Sequence, residues 1–185
     1  MEMRISINYY IAGSLPTNLV AEGLQFIREC FLDVWGVFRC DVNLNDIRKR
    51  DNVVILKDDM VLGWLGVEDD GELTNACVSK ELEGVKNLIS MIKKTYEMTT
   101  KESYYAETPL LKSGSARAFL SCGMLLTDPI EIRKIKYAEK DIELVKMELS
   151  LRNEGSISNT TEVVENSLLV IKEITENDTD NSKRN

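Results

Sequence analysis

The chain has 185 residues, of which 43% are hydrophobic, 23 are basic and 31 are acidic, giving a net charge of −8. This length and composition allow one domain with a sizeable core, and no apolar run, the 167–171 stretch included, is long enough to cross a bilayer. Up to Arg152 there are 20 basic and 24 acidic residues and beyond it 3 and 7, so body and tail each carry −4 and neither offers the positive footprint that nucleic-acid binding needs.

Histidine is absent, and the four cysteines, Cys30, Cys40, Cys77 and Cys122, are widely spaced with no CxxC pair. This excludes Cys/His zinc sites, Cys/His catalysis and Ser/His/Asp triads, so no metal is expected. Acid–base chemistry must then come from carboxylates, tyrosines, lysines, backbone or water. Residues 1–8 carry Glu2 and Arg4 and lack a signal-peptide stretch. The expectation is a cytoplasmic protein whose cysteines are reduced core thiols.

Arg4–Ile11 alternates as a strand does, and Gly13–Thr17 with Pro16 signals a turn and helix entry. Val20, Leu24, Ile27, Phe31, Val34 and Phe38 then form one apolar stripe at helical spacing. Asp41–Asn52 reads as a loop or short helix, and its basic run, Arg48-Lys49-Arg50, as a solvated face. Residues 53–57, 61–67 and 72–78 read as a three-strand meander, turned at Asp58-Asp59 and at Asp70-Gly71. Ser79 is a plausible N-cap for a second long helix marked by Leu82, Val85, Ile89, Ile92 and Tyr96. Residues 103–108 read as a strand ended by Pro109, and Ser113–Cys122 as a helix closed by Gly123. Strands at 130–138 and 142–149 follow, with Arg133, Lys134 and Lys136 discouraging edge pairing on the first. Residues 153–160 form a Gly/Ser/Asn linker, 163–174 suit a short helix or an extra strand, and the polar 177–185 stretch is expected to be disordered.

In its order of elements this chain resembles the GNAT superfamily of N-acetyltransferases. The stretch from Val53 to Tyr96 carries most of the likeness. Ala118-Phe119-Leu120-Ser121-Cys122-Gly123-Met124, similar to the family's helix ending in Gly-Phe, and Met147-Glu148-Leu149 add to it. The resemblance implies an α/β fold, a mixed and mostly antiparallel sheet with helices on both faces, over residues 1–152, followed by an acidic extension over 153–185. It implies acetyl-CoA as cosubstrate and an amine, on a small molecule or a protein, as acceptor, with no membrane partner and a homodimer left open.

The resemblance also implies site residues. Backbone groups of Ala76, Cys77 and Val78 would pair with the pantetheine arm, and Glu72 would act as a base through water. The pyrophosphate turn would fall on Glu83, Gly84, Val85 and Lys86, where only Gly84 matches the family's pattern; Glu81 and Lys86 depart from it. The tyrosine that protonates the leaving thiolate in many members is replaced by Phe119. Each residue also has a structural reading: Glu72 as a solvated turn residue, Gly84 as a helix–sheet packing point, Cys77 and Trp64 as core, although Trp35 and Trp64 could line an acceptor pocket. The alternative function is a catalytically inactive GNAT-fold binding or interaction module, favoured by the altered turn, the missing tyrosine and the acidic tail.

Overall fold

The computed structural model describes residues 4–36, 42–82, 85–110, 113–137, 139–150 and 158–183. Strands β1 (Ile5–Tyr10), β2 (Asp51–Lys57), β3 (Met60–Val67) and β4 (Leu73–Val78) pair in chain order, all antiparallel. The β2–β3 turn places Asp58 and Asp59 at φ 48° and 66°, the left-handed pair that matches the twist of a tight hairpin.

Val53 and Ile55 face one core cluster while Val54 faces another, and Leu65 and Trp64 divide in the same way. Because both faces of the sheet are covered, these strands read as continuous apolar runs rather than alternating ones. Helix α1 (Thr17–Trp35), with the capped turn of α2 (Leu44–Lys49), covers one face, and α3 (Lys86–Met98) covers the other. Along α1, Val20, Ile27 and Phe31 of the sequence stripe are buried, whereas Phe38 lies outside the described residues.

Trp64 is core. Its ring is fully buried, and its Nε1 donates to the buried Asn52 Oδ1 at 3.0 Å. Gly23 makes this possible, since a Cβ there would run into the six-membered ring of Trp64. Trp64→Phe is expected to strand the Asn52 oxygen without a donor and to cost about 2 kcal/mol. A fall in the urea midpoint with an unchanged slope would show it.

The second sheet is built around β8 (Lys140–Ser150). Strand β5 (Ser103–Pro109) runs along one side of it, and β6 (Leu125–Leu126) and β7 (Ile132–Tyr137) follow each other along the other. Helix α4 (Ser113–Ser121) packs on β5, and α5 (Thr161–Ser182) packs on α4. The stretch expected to be a short helix or a strand is thus helix. Val164 and Ile171 of α5 join the main core, and the helix continues past Ile174 to Ser182. Asn159 secures its approach by donating to the carbonyls of Leu120 and Met124 at 2.8 and 2.9 Å. Among the described residues the fold is α/β, two antiparallel sheets flanked by five helices. No helix among the described residues is long and apolar enough to cross a membrane.

Candidate active site

Among the described residues one backbone bridge joins the two sheets. Glu72 and Tyr105 form an isolated parallel bridge, held by the Tyr105 N–H on the Gly71 carbonyl at 3.1 Å. Beyond it, β4 and β5 share no ladder among the described residues, so their facing backbone edges are left open. Such an edge is a row of unpaired donors and acceptors that an extended chain can join.

A bulge shapes this edge. Trp64 pairs with Cys77 and Gly66 with Thr74, so Asn75 and Ala76 together oppose Leu65. Asn75 sits at φ 54°, a conformation that asparagine tolerates better than most residues. The extra residue also reverses the alternation. Leu73 faces the α3–α4 core, whereas Cys77, four residues on, faces the α1 side, and Ala76 and Val78 take over the first face.

A cavity of about 150 Å³ opens between the diverging strands, room for a group the size of benzene. Glu72, Asn75, Glu107, Thr108, Ser115 and Phe119 are among its lining residues. Glu72 is half-buried, and burial above all pushes its carboxyl above the usual carboxylate range, with Asp70, Glu107 and Glu68 pushing the same way. Asp70 behaves oppositely. The Tyr105 hydroxyl, donating at 2.5 Å, and the Glu72 N–H at 3.1 Å hold its carboxyl below its ordinary value. The same hydroxyl is 3.5 Å from Glu72 Oε2. Two neighbouring carboxylates therefore differ in proton affinity, the arrangement in which one serves as a base and the other stays ionised. Glu107 is clamped by Arg133 through two hydrogen bonds of 2.9 and 2.8 Å.

Asn75 Oδ1 and Thr108 Oγ1 are buried without a hydrogen-bond partner. The two residues are 5% and 1% exposed. A buried polar atom left unsatisfied costs about 1–3 kcal/mol, so two of them in one cleft require a reason.

The residues singled out in the sequence fall as follows. Glu72 stands at the root of the cleft, Ala76 lines it, and Cys77 and Val78 continue the open strand. Val85 is the N-cap of α3 and Lys86 its first residue. Glu83 and Gly84 lie outside the described residues, as does the Trp35 side chain. The helix expected to start at Ser79 starts at Lys86 instead. The Ser79 hydroxyl accepts the Glu81 N–H at 3.3 Å, and the Ser79 carbonyl accepts the Leu82 N–H at 3.0 Å. The serine thus closes a local turn rather than capping the helix.

The expectation of reduced thiols is also corrected. Cys30 and Cys77 are disulfide-bonded with their Cα atoms 6.3 Å apart, because α1 crosses β4. Only Cys122 matches the expectation as a buried free thiol among the described residues, and burial raises it to about 11.

Asn75, Thr108 and Arg133 had no place in the sequence-derived site. An asparagine inside a strand is unusual and could have marked the bulge. No signal in the sequence marks Thr108.

No protein-family model matches this chain, and no curated protein matches it. Solved structures do. An N-acetyltransferase from Staphylococcus aureus Mu50 superposes with a TM-score of 0.59 at 14% identity, over 81% of this chain and 99% of its own. Escherichia coli ElaA gives a TM-score of 0.59 at 16% identity, over 77% and 98%. The protein yncA from Salmonella typhimurium, solved with acetyl-CoA, gives 0.56 at 15%, over 84% and 98%. At such identities the likeness is one of fold, and the chain has the fold of the GNAT N-acetyltransferases.

Proposed function

We propose that the protein transfers an acetyl group from acetyl-CoA to an amine by direct attack. The observation that carries this reading is the cleft between β4 and β5, with the bulge at Asn75–Ala76 on its wall and the half-buried Glu72 at its root.

The residues present fit acetyl-CoA. The open edge of β4 from Ala76 to Val78 suits an extended pantetheine arm. The N-terminus of α3 suits its phosphates: Val85 gives no side-chain cap, and the first turn holds no acidic residue, so its N–H groups are available to an anion. Lys86 alone would conflict with the positive end of the helix dipole, and a phosphate there removes the conflict. Acetyl-CoA supplies an activated acyl carbon, and the protein orients the acceptor and removes its proton. Glu72 is the base. At the position where the resemblance puts the tyrosine that protonates the leaving sulfur stands Phe119, 2% exposed. Ser115, which lines the same cavity, carries a hydroxyl in its place.

The second reading, a catalytically inactive GNAT-fold binding or interaction module, draws on Phe119 and on the departures at Glu81 and Lys86. It gives no free CoA when an amine is added, whether or not acetyl-CoA binds.

Calorimetric titration with acetyl-CoA tests the binding step. Micromolar affinity is expected for the wild type, and at least tenfold weaker binding for Ala76→Trp, which fills the cleft. If there were no heat and no thermal shift at millimolar acetyl-CoA, the acetyltransferase reading would be wrong and the binding or interaction module would remain.

A further inference from the structure

We infer that the Cys30–Cys77 disulfide is a redox-sensitive clamp on the cleft. Closed, it ties helix α1 to strand β4; opened by a dithiol reductant, it lets these two walls move against each other. This goes beyond the acyl-transfer reading and holds whether or not that reading does.

The bond joins two residues that each adjoin the cavity lining. Phe31 follows Cys30 on α1, and Asn75 and Ala76 precede Cys77 on β4; all three line the cavity. The bulge makes the link possible. Because Asn75 and Ala76 together oppose Leu65, Cys77 turns to the α1 side, and its Cα lies 6.3 Å from that of Cys30. Without the extra residue Cys77 would share the face of Leu73, away from α1. Little else holds β4 at this level. Its ladder to β3 is interrupted at the bulge, and beyond the bridge at Glu72 it shares none with β5 among the described residues. An ion pair, Lys80 with Asp33 at 3.8 Å, spans the same gap, but both side chains are exposed, and such a pair contributes little in water.

The two redox states pack differently. Thiol sulfurs cannot approach as closely as bonded ones, and these two belong to a core cluster with Ile27, Phe31 and Trp64, where close packing leaves no slack to absorb the change. Reduction therefore shifts α1 against β4, which is paired along one side only. The thiol formed on Cys30 has an acceptor at hand, the Val78 carbonyl oxygen 3.6 Å from its sulfur.

Opening is thiol–disulfide exchange. A thiolate of the reductant attacks one cysteine sulfur, the bond between the cysteines breaks, and the second thiol of the reductant then resolves the mixed disulfide. The reductant leaves as a cyclic disulfide, and its two thiol protons end on Cys30 and Cys77. Both residues are buried, so exchange waits on local opening and is slow.

The protein is compared before and after dithiothreitol. Alkylation and mass spectrometry report the state of Cys30 and Cys77, and hydrogen exchange reports the cleft. On reduction, amides of residues 28–32 and 75–78 are expected to speed up at least about tenfold more than those of β2. A disulfide that merely stabilised the fold would act through global unfolding and speed all of them alike. The double variant Cys30→Ala/Cys77→Ala is expected to show the reduced rates with or without dithiothreitol; if it does not fold, the wild-type comparison decides alone. Free thiols at the two positions before reduction overturn the inference, as does a bond that dithiothreitol leaves intact in the folded protein. An increase shared equally by β2, or a response that the variant retains, overturns it too. Acetyl-CoA titrated into the oxidised form answers the other question separately. If it does not bind, the acyl-transfer reading fails and the clamp is decided by exchange alone; if it binds and reduction leaves exchange unchanged, that reading stands and the clamp falls.

Discussion

Glu72→Gln is expected to slow acetyl transfer to a primary amine by about 10²- to 10⁴-fold, the usual contribution of a positioned base, while acetyl-CoA affinity stays within about twofold. The amide has nearly the shape of the carboxylate and cannot take a proton. Burial and the neighbouring Asp70 and Glu107 raise the Glu72 carboxyl, so the acid limb of the rate profile should lie above the ordinary glutamate value of about 4.3 and vanish in the variant. Stability gives an independent check. A carboxyl raised in the folded state favours folding most when protonated; its contribution is fully present below the unfolded value of about 4.3 and is lost as pH rises through the folded value. Wild type should therefore lose stability relative to Glu72→Gln as pH rises through that window. A variant with wild-type turnover, or two melting curves that run parallel with pH, would remove Glu72 from the mechanism.

Much of the fold is legible from periodicity, and the reason is physical. The runs at Val53–Leu56 and Val61–Leu65 lie in a sheet covered on both faces, so burial writes them as unbroken apolar strands. The α1 stripe and the Asp58-Asp59 turn are local in the same sense, each set by neighbours within a few residues. The start of α3 is less legible, because Ser79 has the chemistry of a cap and uses it on a nearer turn. β6 was missed because two residues carry no period. In the candidate site, Glu72 is suggested by the family resemblance, while its place at a strand start after a glycine reads only as a solvated turn. The remaining parts depend on contacts distant in sequence. Cys30 and Cys77 meet across 47 residues, and Thr108 becomes an unpartnered group only when β5 diverges from β4. The bulge at Asn75 follows from a register that a single strand does not encode.

Gly71→Ala is expected to destabilise the fold by about 3 kcal/mol and to lower transfer activity with it. Gly71 lies at φ +93°, and a Cβ there would collide with the Ser103 carbonyl oxygen. Neither problem can be relieved by moving a flexible side chain, since the obstacle is backbone on the other sheet. The residue also makes the junction itself: its carbonyl accepts the Tyr105 N–H at 3.1 Å, and its N–H donates to the Glu68 carbonyl at 3.0 Å. Glu72 is the next residue, so any shift that accommodates the methyl group moves the carboxylate relative to Asn75 and Thr108. Gly114→Ala provides the contrast. Nothing lies within 4 Å of its added Cβ, and alanine inside a helix should gain about 0.5–1 kcal/mol. Chemical denaturation of the two variants beside wild type decides the matter. A Gly71→Ala midpoint equal to wild type would mean that the two sheets are not joined through this residue.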